Sequence, residues 1–117
     1  MAYDSNNIFA KILRGEIPCT KVFENDHVLA FNDIAPKAPV HVLIIPKGAY
    51  VSFADFSANA TDEEIVALNR AVGEIAREKG IDATGYRLLA NHAEHGRQDV
   101  PHYHVHLLGG ADLGPCF

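Results

Sequence analysis

The chain predicts an α+β domain built on a mostly antiparallel sheet of about five strands. Its segments run in the order short helix, meander of strands, one long helix and final strand pair. Val40 to Ile45 is a β-branched apolar run that ends at Pro46-Lys47-Gly48, as a central buried strand does before its turn. Thr61-Asp-Glu-Glu64 is a capping box, and Ile65, Leu68, Val72, Ile75 and Ala76 form a stripe that stops at Gly80, which marks the long helix.

The remaining elements follow in chain order. Asn6-Asn7 supplies capping side chains, Ile8, Phe9, Ile12 and Leu13 recur at helical spacing, and Gly15 closes the short helix. Thr20 to Glu24 and His27 to Phe31 flank the turn dipeptide Asn25-Asp26, so they read as a hairpin with Val22, Val28 and Phe31 on its strands. Pro36 and Pro39 hold the next stretch open. Tyr86 to Ala90 and His102 to Leu108 are the last two strands, joined by a polar loop from Asn91 to Asp99 that contains Gly96.

Composition narrows the function classes. The 117 residues suit one hydrophobic core, so the chain reads as a single domain over 1–117. With 48% hydrophobic and 21% charged residues it reads as globular and not disordered. Val42-Leu43-Ile44-Ile45 is the longest apolar run, far below the roughly 20 residues of a membrane helix. The first residues lack a basic start followed by an apolar stretch, which makes the cytoplasm the expected location. Cys19 and Cys116 are far apart and in no CxxC pair, as reduced thiols are. A net charge of −5, with ten Lys and Arg scattered along the chain, argues against nucleic acid as a partner.

Val100-Pro-His-Tyr-His-Val-His-Leu-Leu-Gly-Gly110 is the informative segment. On a strand, His102, His104 and His106 share one face, while Tyr103, Val105 and Leu107 point to the other. Each imidazole brings a donor and an acceptor that need partners, so three in a row favour a site over chance. Zinc is one reading. At a rise of about 3.3 Å per residue the outer two Cα atoms lie roughly 13 Å apart. Ligand nitrogens around zinc need to approach within roughly 3.5 Å of one another. The spacing suits a different use: a central nucleophile, His104, flanked by two rings that grip oxygens of one tetrahedral phosphorus. Three neighbouring imidazoles titrate as a coupled set, with a neutral central ring as one microstate.

His102-Tyr-His-Val-His-Leu-Leu resembles the alternating signature of the histidine triad (HIT) superfamily, and the chain is similar to its nucleotide-binding Hint branch. The resemblance extends through Ile8-Phe-Ala-Lys-Ile, Gly15-Glu-Ile-Pro, Leu29-Ala-Phe-Asn-Asp-Ile-Ala-Pro-Lys-Ala-Pro-Val-His41, Ile44-Ile-Pro-Lys47, Tyr86-Arg-Leu and Leu108-Gly-Gly110. It implies a HIT-like fold with one long and one short helix, and two copies paired through the long helix and an edge strand. It implies a hydrolase that splits purine nucleoside phosphoramidates into a monophosphate and an amine through a nucleotidyl-His104 intermediate, without metal or organic cofactor. His102 and His106 would contact phosphate or leaving group, and His41 would stand behind the row. A satisfied core histidine is the competing reading of His41. Asp33 would receive two ribose hydroxyls, unless it only caps the loop Asn32-Asp33-Ile34. Ile8, Phe9, Ile12, Phe31 and Ile34 would form the apolar slot for the purine, or core. Asn91 and the loop with Gly96, Arg97, Gln98 and Asp99 would lie along the phosphate, as an anion nest of backbone N–H groups.

Several positions depart from the branch. Arg97 stands where glycine is usual, and Asp99 where Ser or Thr is frequent, so a hydroxyl donor has become an acid that repels an anion unless it turns outward. The zinc-binding Cys-x-x-Cys of some members falls here on Asn7 and Ala10. The branch's tail tryptophan is missing; this chain ends Leu113-Gly-Pro-Cys-Phe117. Two alternatives stay open: a non-catalytic nucleotide-binding adaptor, and a dinucleoside polyphosphate hydrolase. The intact triad speaks against the first, and Leu108-Gly-Gly110 after the triad against the second.

Overall fold

The computed structural model describes residues 2–116, so Phe117 lies outside the described residues. Along the chain run α1 (Ile8–Leu13), β1 (Lys21–Glu24), β2 (Val28–Asn32), β3 (Val40–Pro46), α2 (Phe53–Asn59), α3 (Asp62–Glu78), β4 (Tyr86–Leu89) and β5 (Val105–Gly109). The strands form one antiparallel sheet in the order β1-β2-β3-β5-β4. Among the described residues, no helix is long and apolar enough to cross a membrane.

Local signals start the helices where the sequence puts them. The Asn7 side chain accepts from the Ala10 N–H at the head of α1. Thr61 and Glu64 close a reciprocal capping box on α3, whose buried stripe is Leu68, Ala71, Val72, Ile75 and Ala76. The structure adds a helix that the sequence reading lacked. Ser52 caps α2 through the Asp55 N–H, and Phe56 buries itself as its anchor. Seven residues with a single buried position are too short to show a helical period.

Alternation gives the sheet two unlike faces. Val28, Ala30, Val42, Ile44, Val105 and Leu107 pack against α2 and α3. Leu29, Phe31, Leu43 and Ile45 pack against Phe9 of α1. β3 is central and wholly covered beyond its first residue, which explains its unbroken apolar run.

One expected strand is shorter than its sequence suggests. The β5 ladder begins at Val105, not at His102, because β3 ends at Pro46, which has no N–H to offer. The Pro46 carbonyl instead accepts the Nε2–H of His102 at 2.8 Å. The Tyr103 N–H turns to the Tyr50 carbonyl at 2.7 Å. Side-chain alternation nevertheless continues through the unpaired stretch. Tyr103 stacks on Phe56 in the helix-side core, while His102 and His104 face Phe9 on the other side.

Candidate active site

The three histidines gather on the α1 face of the sheet, and each imidazole is held differently. The His104 Nδ1–H donates to the carbonyl of His102 at 2.7 Å. A carbonyl can only accept, so Nδ1 carries a proton, and in the neutral ring the lone pair lies on Nε2. Phe9 packs edge-on against this ring, with centroids 4.9 Å apart, and fixes its plane.

His106 and His41 form a directed pair. The backbone N–H of Lys37 donates to Nδ1 of His41 at 3.0 Å, so the His41 proton sits on Nε2. From there it is given to Nδ1 of His106 at 2.9 Å. The proton of His106 must then lie on Nε2, and that atom is buried without a hydrogen-bond partner among the described residues. Its ring lies 5.1 Å from that of His104, centroid to centroid. Burial above all, then the neighbouring imidazoles, lowers the His106 pKa to about 4. Burial also lowers that of His41, against the pull of Asp33. Both rings are therefore neutral at pH 7. The sequence left His41 undecided between core histidine and support; here it is buried and also hydrogen-bonded to the triad.

His102 takes another part than its outer partner. It is fully enclosed; Nε2–H goes to Pro46, and Nδ1 accepts from the Tyr3 hydroxyl at 2.7 Å. Both nitrogens are engaged within the chain, so the expectation that each outer ring grips phosphate is corrected for His102, which instead holds the carbonyl that orients His104. Burial lowers its pKa to about 4. Tyr3 had no signal in the sequence, because its partner lies 99 residues away.

Asp33, His41 and His106 bring ligand atoms within 4.8 Å of one another, a grouping that invites a cation. The proton order argues against it. A metal-bound Nε2 on His41 needs Nδ1 to be a donor, and the Lys37 N–H already points at that atom. Asp33 lies 3.4 Å from His41 Nε2 through Oδ2, while Oδ1 caps the Ala35 N–H at 2.9 Å. It thus serves the loop and faces the site together. A cavity of ≈ 320 Å³ adjoins it, lined by Asn32, Asp33, Pro36 and His41 among others.

The expected apolar slot divides. Phe9 and Phe31 are core residues in edge contact at 5.5 Å, with Ile12 half-buried against them. Ile8 is 42% exposed and Ile34 is 96% exposed, so neither packs as core.

The loop from Asn91 to Asp99 also needs correction. Backbone N–H groups of Gly96, Arg97 and Gln98 donate to His92, Glu94 and Ala93, so these three are spent inside the turn and form no anion nest. Gln98 is a brace: its amide nitrogen donates to the Val51 and Val100 carbonyls and its oxygen accepts from the Ala93 N–H. A side chain at Gly96 would meet the His92 backbone at 2.6 Å, which demands glycine there. Arg97 is exposed with φ 57°, in the left-handed region that glycine adopts most readily. Asn91 is half-buried at the start of this loop. Asp99 is the one member that reaches the triad, with Oδ1 3.8 Å from Nε2 of His104 and its side chain 81% exposed.

Comparison with known proteins identifies the family. A family model described as "HIT domain" matches residues 14–113. An uncharacterised 13.2 kDa HIT-like protein of Azospirillum brasilense is 60% identical over 113 residues, covering 97% of this chain and 93% of its own. The purine nucleoside phosphoramidase of Escherichia coli is 48% identical over 111 residues, covering 92% and 90%. Among solved structures, a histidine triad protein from Clostridium difficile superposes with a TM-score of 0.85 at 43% identity, covering 99% of both chains. A HIT family hydrolase from Clostridium thermocellum gives 0.87 at 41% identity, covering 96% of both. With its triad, its five-stranded sheet and these relatives, the chain belongs to the HIT domain family.

Proposed function

We propose that this chain is a phosphoramidase that hydrolyses purine nucleoside phosphoramidates to a nucleoside monophosphate and an amine, working as a single-domain subunit of a homodimer in the cytoplasm. One observation carries the reading: an imidazole lone pair on His104 Nε2 beside an unpartnered N–H on His106 Nε2. That pairing is a nucleophile next to a proton donor. The 48% identity to the Escherichia coli enzyme supports the same assignment.

In the first step Nε2 of His104 bonds to phosphorus and the P–N bond breaks. The bound anion favours uptake of one proton at His41 Nδ1, which displaces the Lys37 N–H from that atom; as His106 Nε2 then gives its proton to the departing nitrogen, His41 passes its Nε2 proton to His106 Nδ1 and returns to neutral. The amine leaves neutral, and the nucleotidyl imidazolium stays held by the His102 carbonyl. In the second step water bonds to phosphorus and the bond to His104 breaks. One water proton passes to the His41–His106 pair and on to solvent. Asp33 receives the ribose hydroxyls, and Ile8, Ile12 and Ile34 offer the apolar surface for the base, backed by the buried rings of Phe9 and Phe31. Asn91 borders the phosphate. No step calls for a metal or organic cofactor.

Homodimerisation is supported by the free edge of β4, where Tyr86 and Leu88 are each 47% exposed, and by exposed Phe53 and Val66.

The test mixes the protein with an AMP phosphoramidate and quenches in base, which preserves an acid-labile phosphohistidine. A nucleotidyl adduct is expected in the native protein, with both adduct and turnover lost in His104→Ala. Native-level turnover in that variant overturns the mechanism.

A further inference from the structure

The acid at the mouth of the site has no counterpart in the nucleophile-and-donor scheme. Asp99 Oδ1 lies 3.8 Å from the very nitrogen that would attack phosphorus. A near-attack complex places phosphorus about 3 to 3.5 Å from that nitrogen. Phosphoryl oxygens and the Asp99 carboxylate therefore share one small space. Among the ion pairs of the described residues, Asp99 has no lysine or arginine partner; it lies only beside the imidazole of His104, which carries no charge while its Nε2 holds a lone pair. Arg97, two residues away, is exposed and makes no ion pair there. The carboxylate is thus an uncompensated negative charge facing an anion site.

Substrate and product differ in charge at that phosphorus. A nucleoside phosphoramidate carries an ester oxygen, a nitrogen and one ionised oxygen equivalent, a charge of −1. The monophosphate released by water loses a further proton, since its second pKa is near 6, and approaches −2 at pH 7. A fixed charge a few ångströms away opposes the product more than the substrate.

We propose that Asp99 is a specificity-determining residue that discriminates by charge, tolerating the singly charged phosphoramidate and repelling the doubly charged monophosphate so that product leaves. The proposal rests on the phosphoramidase reading and adds to it a cause for product release. Because the carboxylate is 81% exposed, its reach is that of a solvated charge. One extra unit charge about 4 Å away in a water-like medium corresponds to roughly a fivefold change in affinity.

The experiment measures Kd by calorimetry for two ligands, AMP and its phosphate methyl ester, on native protein and on Asp99→Asn. The ester keeps the nucleoside and phosphorus but stays at a charge of −1. In Asp99→Asn, AMP is expected to gain about fivefold in affinity relative to the ester, with the gain shrinking as salt rises. Asp99→Ser gives the same relative gain, because both substitutions remove the charge and differ in shape. An unchanged ratio of the two Kd values in both variants overturns the proposal and leaves the phosphoramidase reading standing. Failure of native protein to bind either nucleotide overturns both.

Discussion

Enclosing His102 makes stability depend on pH, and the size of the effect follows from its surroundings. The ring is fully buried, and its pKa falls from 6.5 to about 4 chiefly through desolvation. Between those values the unfolded chain binds a proton that the folded chain refuses. Stability is therefore complete above about pH 6.5 and declines as pH falls toward 4. Each unit of pKa difference corresponds to about 1.4 kcal/mol, so acidification to pH 5 costs about 2 kcal/mol through this residue. A small domain has roughly 5–15 kcal/mol in total, which makes such a loss easy to measure. Urea unfolding at pH 7.5 and pH 5 on native protein and His102→Asn is the assay. His106 and His41 also have lowered pKa values and push the same way, so the comparison isolates His102. The native protein should lose about 2 kcal/mol more than the variant over this interval. Equal losses, or an NMR titration of His102 centred near 6.5, would refute the reasoning.

Two further outcomes are expected. Tyr3→Phe removes the hydroxyl that donates to Nδ1 of His102 and leaves a buried acceptor unpaired, at about 1–3 kcal/mol. The urea midpoint should fall and the Nδ1 nitrogen resonance of His102 should move; an unaltered midpoint and resonance deny Tyr3 any hold on the triad. On the β4 edge, light scattering at micromolar concentration should give twice the chain mass, and Leu88→Lys should lower it with the circular dichroism spectrum retained. A native mass of one chain contradicts the dimer.

Much of the fold was legible because the signals are local. The capping box at Thr61, the cap at Asn7 and the β3 run each act within a few residues, and each element formed where the sequence put it. The family, too, could be recognised from short motifs in order. α2 escaped because one buried residue, Phe56, makes no period. The start of β5 was misread because strand alternation persists where strand pairing has stopped.

The sequence by itself determined that three imidazoles would share a face, since alternation is a property of an extended backbone. What each imidazole can do was decided by contacts distant in the chain. The Pro46 carbonyl and Tyr3 hydroxyl close off His102, while the Lys37 N–H sets the proton order through His41 to His106. A proton's position on a ring is fixed by the donor or acceptor opposite it, and only the packed chain brings those groups together.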